Sequence, residues 1–326
     1  MIFAHLSRTW LARRSQTTPA SWMLGIVRSL RVLRYWREHQ ALCRLDLVRR
    51  FVARAPGDDL FHHLSHRNYL AQDLSARQRV QCVLSHYRFE DAAFSNAYHQ
   101  AVYGGGPGGG LTLWQHLSQD EHGEHDFVMR LEMAPRLDAE GDLTISLVAD
   151  GKYLHRLSYT WVDGQLAGSE LPTVPFVTRN QGRWTDSGAA FAAFEEAFPN
   201  NSPSFFCFAA MQGVAQALGI NQVVAIKCSA QIAYDPQDVK HFENAYDGFW
   251  KVLGGVEMPG RSYLIRLPFY LKPLADMPSK HRKRAAQRRE FWRAIGDSTR
   301  STMLRHMAPS AASQARTVSV PEVAEV

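Results

Sequence analysis

Apolar and polar positions alternate with a period of two over residues 127–133 (FVMRLEM), 143–148 (LTISLV) and 153–162 (YLHRLSYTWV), the pattern of β-strands. Asp150-Gly151 separates the last two, and Asp-Gly between apolar runs predicts a two-residue hairpin that pairs the strands carrying Leu147 and Leu154. Residues 174–178 add a strand candidate after Pro172. Residues 221–229 (NQVVAIKCS) hold a continuous apolar run, as expected of an interior strand with both faces covered. A closing strand is expected at 262–269, extending to 271.

Helical spacing flanks this region. From Ser21 onward Trp22, Met23, Ile26, Val27, Leu30 and Leu33 recur at helical intervals, with Arg28, Arg31, Arg34 and Arg37 on another face. Residues 1–21 read as a loose leader. Residues 56–103 predict further helices, with Ser75 as the N-cap before ARQRVQCVLSHY. GGGPGGG at 104–110 lacks Walker spacing and its lysine, and reads as a connector. Helices are expected at 187–197, 204–218, 238–253 and 279–306, the third ending at Gly254-Gly255. The predicted organisation is a basic leader and amphipathic helix (1–55), a folded domain (56–306) and a disordered tail (307–326). Within the domain, 56–103 is helical, 111–271 forms the sheet core and 279–306 a basic helix. The fold class is α/β (α+β): a helical N-terminal region, then a mixed, mainly antiparallel sheet with flanking helices.

Composition adds the electrostatics. The chain has 326 residues, 45% hydrophobic, and a net charge of +6. Residues 1–50 hold 10 arginines against Glu38 and Asp46, a local net of +8. Residues 279–305 hold 9 lysines and arginines against Glu290 and Asp297, a local net of +7, so the middle is acidic. Arg28, Arg31, Arg34, Arg37, Lys280, Arg282, Lys283 and Arg284 suit an anionic membrane surface, or else form solvated helix faces. The apolar face of the first helix either meets that surface or docks on its own domain. Nucleic acid ranks lower, because no aromatic-interleaved motif accompanies the charge. No run approaches the roughly 18 apolar residues of a spanning helix, and residues 22–27 lack a cleavage site. Cys43, Cys82, Cys207 and Cys228 form no CxxC pair, and a chain of this size needs no disulfide staples, so a reducing cytosol is the expected compartment, with the basic ends free to rest peripherally on a membrane surface.

The block YDGFW at 246–250, Gly254-Gly255 and MPSKHRKRAAQRR at 277–289 resembles the VirK/YbjX family of bacterial proteins, a domain of unknown function. HRNYL at 66–70, the helix ending in His86-Tyr87, GLTLW at 110–114, the strands around Asp150-Gly151, Gln181-Gly182 and ALGINQVVAI extend the match over about 60–295. Where glycine-rich residues are expected before Gln181-Gly182, the chain has Val177-Thr178-Arg179-Asn180. The resemblance implies a role in envelope integrity, resistance to cationic antimicrobial peptides and virulence.

A second resemblance is to the Gcn5-related N-acetyltransferase superfamily. Arg179-Asn180-Gln181-Gly182-Arg183-Trp184 matches the first half of its pyrophosphate-binding turn, and FWKVLGG at 249–255 sits where its YEKLGF-like run belongs. Trp184 departs from that turn, where close backbone approach is wanted. The resemblance implies acyl transfer from a coenzyme A or related thioester held by Arg179, Gln181, Gly182 and Arg183, on an envelope precursor or amine. Tyr246 or Tyr234 would then be the phenol that reprotonates the leaving thiolate. Tyr246 reads equally as a core aromatic beside Phe249 and Trp250. The alternative is a non-catalytic accessory protein binding anionic lipid or an envelope-biogenesis partner.

Other chemistry is thin. His62, His63 and His66 form one cluster; His116, His122 and His125 lie near carboxylates in a polar loop. Neither has zinc-hydrolase spacing, and no metal is expected. Cys207 and Cys228 fall in buried elements and read as small core residues.

Overall fold

The computed structural model describes residues 2–15, 18–52, 61–65, 68–104, 109–120, 123–134, 139–182 and 186–309. Helices α1 (Ile2–Arg14), α2 (Pro19–Ser29), α3 (Trp36–Leu42), α4 (His62–Ser65), α5 (Ala76–Ala93) and α6 (Asn96–Tyr103) precede the sheet. The sheet opens with β1 (Leu111–Asp120), β2 (Gly123–Met133), β3 (Leu143–Ala149) and β4 (Lys152–Asp163). A short α7 (Gly164–Ala167) leads to β5 (Thr173–Gly182), then α8 (Gly188–Ala197), α9 (Pro203–Ala217) and β6 (Gln222–Ile226). The chain closes with α10 (Val239–Glu243), α11 (Phe249–Val252), β7 (Val256–Glu257), β8 (Ser262–Arg266) and α12 (Ser279–Arg305). The strands form one mixed sheet in the order β1-β2-β3-β4-β5-β6-β8-β7, antiparallel throughout except for the β5–β6 pair.

Local chemistry explains several boundaries. Ser75 caps α5 as a capping box: its hydroxyl accepts from the Gln78 N–H while the Gln78 amide accepts from the Ser75 N–H at 3.0 Å. Asp150 (φ 50°) and Gly151 (φ 77°) both adopt the left-handed conformation of the predicted hairpin turn. Leu147 lies opposite His155 and Val148 opposite Tyr153, so Leu154 is the extra residue of a bulge. Val223–Ile226 is interior, as its apolar run predicts, with β5 on one side and β8 on the other.

Four expectations are corrected. Residues 2–14 form helix α1 instead of a loose leader, because Ile2 and Leu6 reach the core and the Trp10 indole donates to Ser29 Oγ at 2.8 Å. The supposed polar loop around His116 and His125 is the β1–β2 hairpin; its outer strand is an edge in which a bulge between Thr112 and Trp114 and the exposed Leu117 break the apolar period. The helix expected at 238–253 carries a π-turn at Asn244–Gly248. The strand after Asn221 ends at Ile226, since the Cys228 N–H is captured by Asp247 Oδ1 at 2.7 Å and the chain enters a short 3₁₀ turn. The connector at 105–108 and the tail from 310 lie outside the described residues.

Helix α9 anchors the architecture. Phe206 to Met211, Gly213 to Ala215 and Ala217 are buried, so the helix is enclosed nearly all round, between the sheet and α12. The two helices cross where a Cβ on Gly213 would stand 2.4 Å from the Gly296 carbonyl oxygen and 2.8 Å from Thr299 Cβ. A Cβ on Gly296 meets only Ala209 O at 3.5 Å, an ordinary contact. Gly213→Ala is therefore expected to lower stability by about 1–3 kcal/mol through overpacking against backbone. Gly296→Ala should be neutral or gain up to about 1 kcal/mol from helix propensity. Denaturant midpoints of the two variants measure the contrast; equal shifts would contradict this crossing.

Candidate functional site

Strand β5 pairs with β4 along its length but with β6 at only two positions, Phe176↔Val224 and Val177↔Ala225. A bulge follows: Ser158 lies opposite Arg179 and Tyr159 opposite Val177, leaving Thr178 as the extra residue. Beyond it β5 runs on to Gly182 while β6 turns away. A buried polar wedge holds the parting. Arg179 Nη1 pairs with Glu140 Oε2 at 3.0 Å, the Gln231 amide donates to the other oxygen of Glu140, and the Thr178 hydroxyl donates to the Glu140 carbonyl. Gln231 follows β6, so the wedge links the two diverging strands.

Beside the free end of β5 is a pocket of about 350 Å³. Its floor is His155, Asn180, Gln181 and Gly182; its walls come from α8 (Phe191, Phe194, Glu195), the start of α9 (Ser202, Pro203, Ser204) and the π-turn region (His241, Asn244, Ala245, Phe249). π-turns inside helices are frequent at functional sites. Here the π-turn carries both Ala245 into the wall and Tyr246 behind it.

His155 and Asn180 form a directed pair. The Asn180 amide donates from Nδ2 to the Ala245 carbonyl at 2.6 Å, which leaves Oδ1 as an acceptor facing His155 Nε2 at 2.7 Å. His155 Nε2 must therefore carry the proton, and Nδ1 keeps its lone pair. Burial pushes the His155 pKa down to about 4, against the opposing effect of the Asn180 hydrogen bond, so the ring is neutral near pH 7. Gly182 lies opposite His155 in the ladder, and a Cβ there would stand 2.7 Å from Nδ1 and 2.5 Å from the Leu154 carbonyl oxygen. The glycine is thus explained by the close approach of β4 and the imidazole.

The residues singled out from the sequence fall as follows. Gln181 and Gly182 line the pocket. Arg179 does not; its guanidinium is buried against Glu140. Arg183 and Trp184 lie outside the described residues. Tyr246 is buried behind Asn180, its hydroxyl 3.5 Å from the Asn180 N–H, with its ring stacked on Phe242 and edge-on to Trp250. Burial, with the nearby Glu140 carboxylate, raises its pKa, so the phenol stays protonated. Tyr234 packs edge-on against Phe242, outside the pocket lining. Sequence reasoning passed over His155 and Asn180, because in YLHRLSYTWV the histidine reads as one more strand position.

Elsewhere the chemistry is structural. His63 pairs with His39 through their Nε2 atoms at 3.0 Å, both buried, while His62's side chain and His66 lie outside what is described. His116 stacks on Trp114, His125 contacts Asp150 Oδ2 at 2.6 Å, and His122 is not described. Among the described residues no His, Cys, Asp and Glu group could hold a metal. Burial raises the thiols of Cys207 and, to about 11, Cys228. Within the basic helix, Arg282, Arg288 and Arg289 donate to backbone carbonyls of Met277, Ala275, Asn200 and Lys272; Lys280, Lys283 and Arg284 are exposed.

Two measurable consequences follow from burial. Between pH 6.5 and about 4 the unfolded chain binds a proton at His155 that the folded protein excludes, so stability is full above pH 6.5 and falls as pH drops through this window. The full effect is about 3 kcal/mol. Urea unfolding of wild type and His155→Gln at pH 7.5 and pH 4.5 isolates it; equal pH dependence would show that the ring is not held neutral. Arg179→Met, which leaves the Glu140 carboxylate buried without its cation, should cost about 3–5 kcal/mol, and Glu140→Gln added to it should recover part of that loss.

Comparisons place the chain among known sequences. The model of the family described as "Protein of unknown function (DUF535)" matches residues 26–299. The chain is 27% identical over 232 residues to "Uncharacterized protein YbjX" of Escherichia coli (strain K12); the match covers 69% of this chain and 66% of that relative. No solved structure matches it. With most of its length matched by the family model, and the motifs around Tyr246 and the basic helix in place, the chain belongs to the VirK/YbjX family of proteins of unknown function.

Proposed function

We propose that this protein transfers an acyl group from a thioester carrier, coenzyme A or a related one, to an amine or hydroxyl acceptor bound beside His155. The observation that carries the reading is the parallel β5–β6 pair that parts after two residues next to a pocket of about 350 Å³. Past the parting, Tyr246 covers the Asn180 N–H, while Gln181 and Gly182 line the pocket and are not paired with β6, so an amide-bearing pantetheine arm can bond at Gly182 as an extra strand would. The element order also supports it: antiparallel strands, a turn and helices, a parallel strand, a helical segment and a closing hairpin. That is the order expected of Gcn5-related acetyltransferases.

In this reading Gln181 and Gly182 bind the thioester arm through the strand edge. The acceptor N–H or O–H attacks the thioester carbonyl carbon while His155 Nδ1 takes its proton. The tetrahedral intermediate collapses, the C–S bond breaks, and the imidazolium returns the proton to the leaving thiolate. Burial disfavours the imidazolium, which makes it a ready donor in that second step. Asn180 fixes the tautomer that leaves Nδ1 free to act, and Tyr246 positions Asn180 from behind. Arg179 is given no contact with the carrier, since Glu140 holds its guanidinium. An envelope precursor is the acceptor class the family resemblance implies.

Titration with acetyl- and longer-chain coenzyme A thioesters, read by thermal shift and by thiol release, tests the reading. A true carrier at a hundred times its dissociation constant should stabilise the fold by about 2.7 kcal/mol. His155→Gln should still bind the carrier but lose about 10²–10⁴-fold in kcat, with KM little changed. No stabilisation and no thiol release with any thioester would overturn acyl transfer and leave the accessory-protein reading in its place.

A further inference from the structure

Residues 2–15 and 18–36 hold two helices and a 3₁₀ turn that show apolar side chains on two sides. On α1 the inward positions are Ile2 and Leu6, which are buried, and Trp10. The outward positions Phe3 and Leu11 face solvent, Leu11 at 65% exposure. On α2 and the following 3₁₀ turn (Leu30–Tyr35), Met23 (58% exposed), Leu24, Val27 (61%) and Leu30 fall at intervals that form one helix stripe. Leu33 and Trp36 extend it, and Phe3 reaches the same surface with its ring 5.5 Å from that of Trp36. Of the apolar face read from the sequence, Met23, Val27, Leu30 and Leu33 are exposed, while Trp22 and Ile26 are half-buried. Two hydrogen bonds tie the helices together, the Trp10 indole donating to Ser29 Oγ and the Trp22 indole to the Trp10 carbonyl, each at 2.8 Å.

Exposed apolar residues scattered singly need no explanation, but these are concentrated. Of the fourteen large apolar side chains most exposed among the described residues, eight lie before residue 37. Residues 1–37 hold seven arginines, and no acidic residue precedes Glu38. Arg14, Arg31, Arg34 and Arg37 are all exposed, with Arg14 set over the Trp22 ring at 5.8 Å. Two copies of this face brought together would oppose their arginines with no carboxylate to neutralise them, which disfavours self-association. An anionic bilayer satisfies both features, taking the apolar stripe into the acyl boundary while the guanidinium groups meet headgroup phosphates. No described helix is long and apolar enough to cross a membrane, so the segment would lie in the plane of the interface.

We propose that the α1–α2 hairpin, with the 3₁₀ turn and Trp36, is an interfacial anchor that inserts Met23, Leu24, Val27 and Leu30 into an anionic lipid surface. This anchor stands apart from the His155 pocket and does not depend on acyl transfer.

The test is cosedimentation of the full chain with phosphatidylcholine vesicles, with and without phosphatidylglycerol, at low and high salt. The expected result is binding to the anionic vesicles that weakens with salt. Met23→Glu combined with Val27→Glu changes two exposed positions, so the fold should persist by circular dichroism, and binding should fall by at least about tenfold. Arg31, Arg34 and Arg37 changed to Gln should lose roughly fivefold apiece. Absence of binding to anionic vesicles overturns the anchor, and so does equal binding by the double-glutamate variant. Sedimentation velocity covers the remaining occupant: a concentration-dependent dimer abolished by the glutamates, without vesicle binding, would make this face a contact between copies and overturn the proposal.

Discussion

The enclosure of α9 is the constraint on which the rest of the structure depends. A helix apolar nearly all round must be covered on every side, and here the sheet covers one side and α12 the other. Two covers on one helix require a close crossing, and Gly213 supplies it by letting the Gly296 backbone approach to a distance no side chain would permit. Aromatic rings fill the remaining space around its first turns: Phe205 stacks on Trp292, and Phe206 meets Phe194, Phe198 and Phe291. Because α9 starts at Pro203, directly in the pocket wall, the packing that buries the helix also fixes one wall of the pocket.

The floor depends on electrostatics. A buried Arg179–Glu140 pair with Gln231 as third partner stands where β5 and β6 would otherwise continue side by side. Buried ion pairs are weak sources of net stability, and their best-attested use is to specify one arrangement over another. Here the arrangement specified is a strand that ends free of its neighbour, with the bulge at Thr178 turning Asn180 toward His155. A second enclosed polar group lies elsewhere: Glu90 accepts from the Trp161 indole at 2.6 Å and from Tyr103 at 3.0 Å, and burial pushes its carboxyl up to about 8. It ties α5 and α6 to β4 and is shut off from solvent.

The basic segments divide by the same physics. In α12 the guanidinium groups of Arg282 and Arg289 are spent on carbonyls of the preceding loop, so part of a charge block that looked like a docking surface is a clasp. In the N-terminal hairpin the arginines described are exposed and share their surface with apolar side chains. The two basic ends of the sequence are therefore different objects.

Local signals determined much of the fold. Asp150-Gly151 prescribed its hairpin because both residues had to accept left-handed backbone, Ser75 and Gln78 prescribed the start of α5, and the unbroken apolar run at Val223–Ile226 prescribed an interior strand. Edge strand β1 was illegible, since a bulge between Thr112 and Trp114 and the exposed Leu117 break the alternation that marks a strand. The π-turn at Asn244–Gly248 was illegible too, because one extra residue in a helical turn leaves no mark in the apolar pattern. Of the candidate site, Gln181 and Gly182 were visible as a motif, but the reason for the glycine was not: it is the ring of His155, 27 residues earlier, pressed against it across the ladder. The resemblance gave Arg179 to a thioester carrier, whereas long-range packing places Glu140 against it. Sequence by itself determined the interior strands and the capped or strongly periodic helices, since propensity and period act over neighbouring residues. Only the tertiary structure decided which polar groups are consumed and which face the pocket, because that depends on partners brought together from distant parts of the chain.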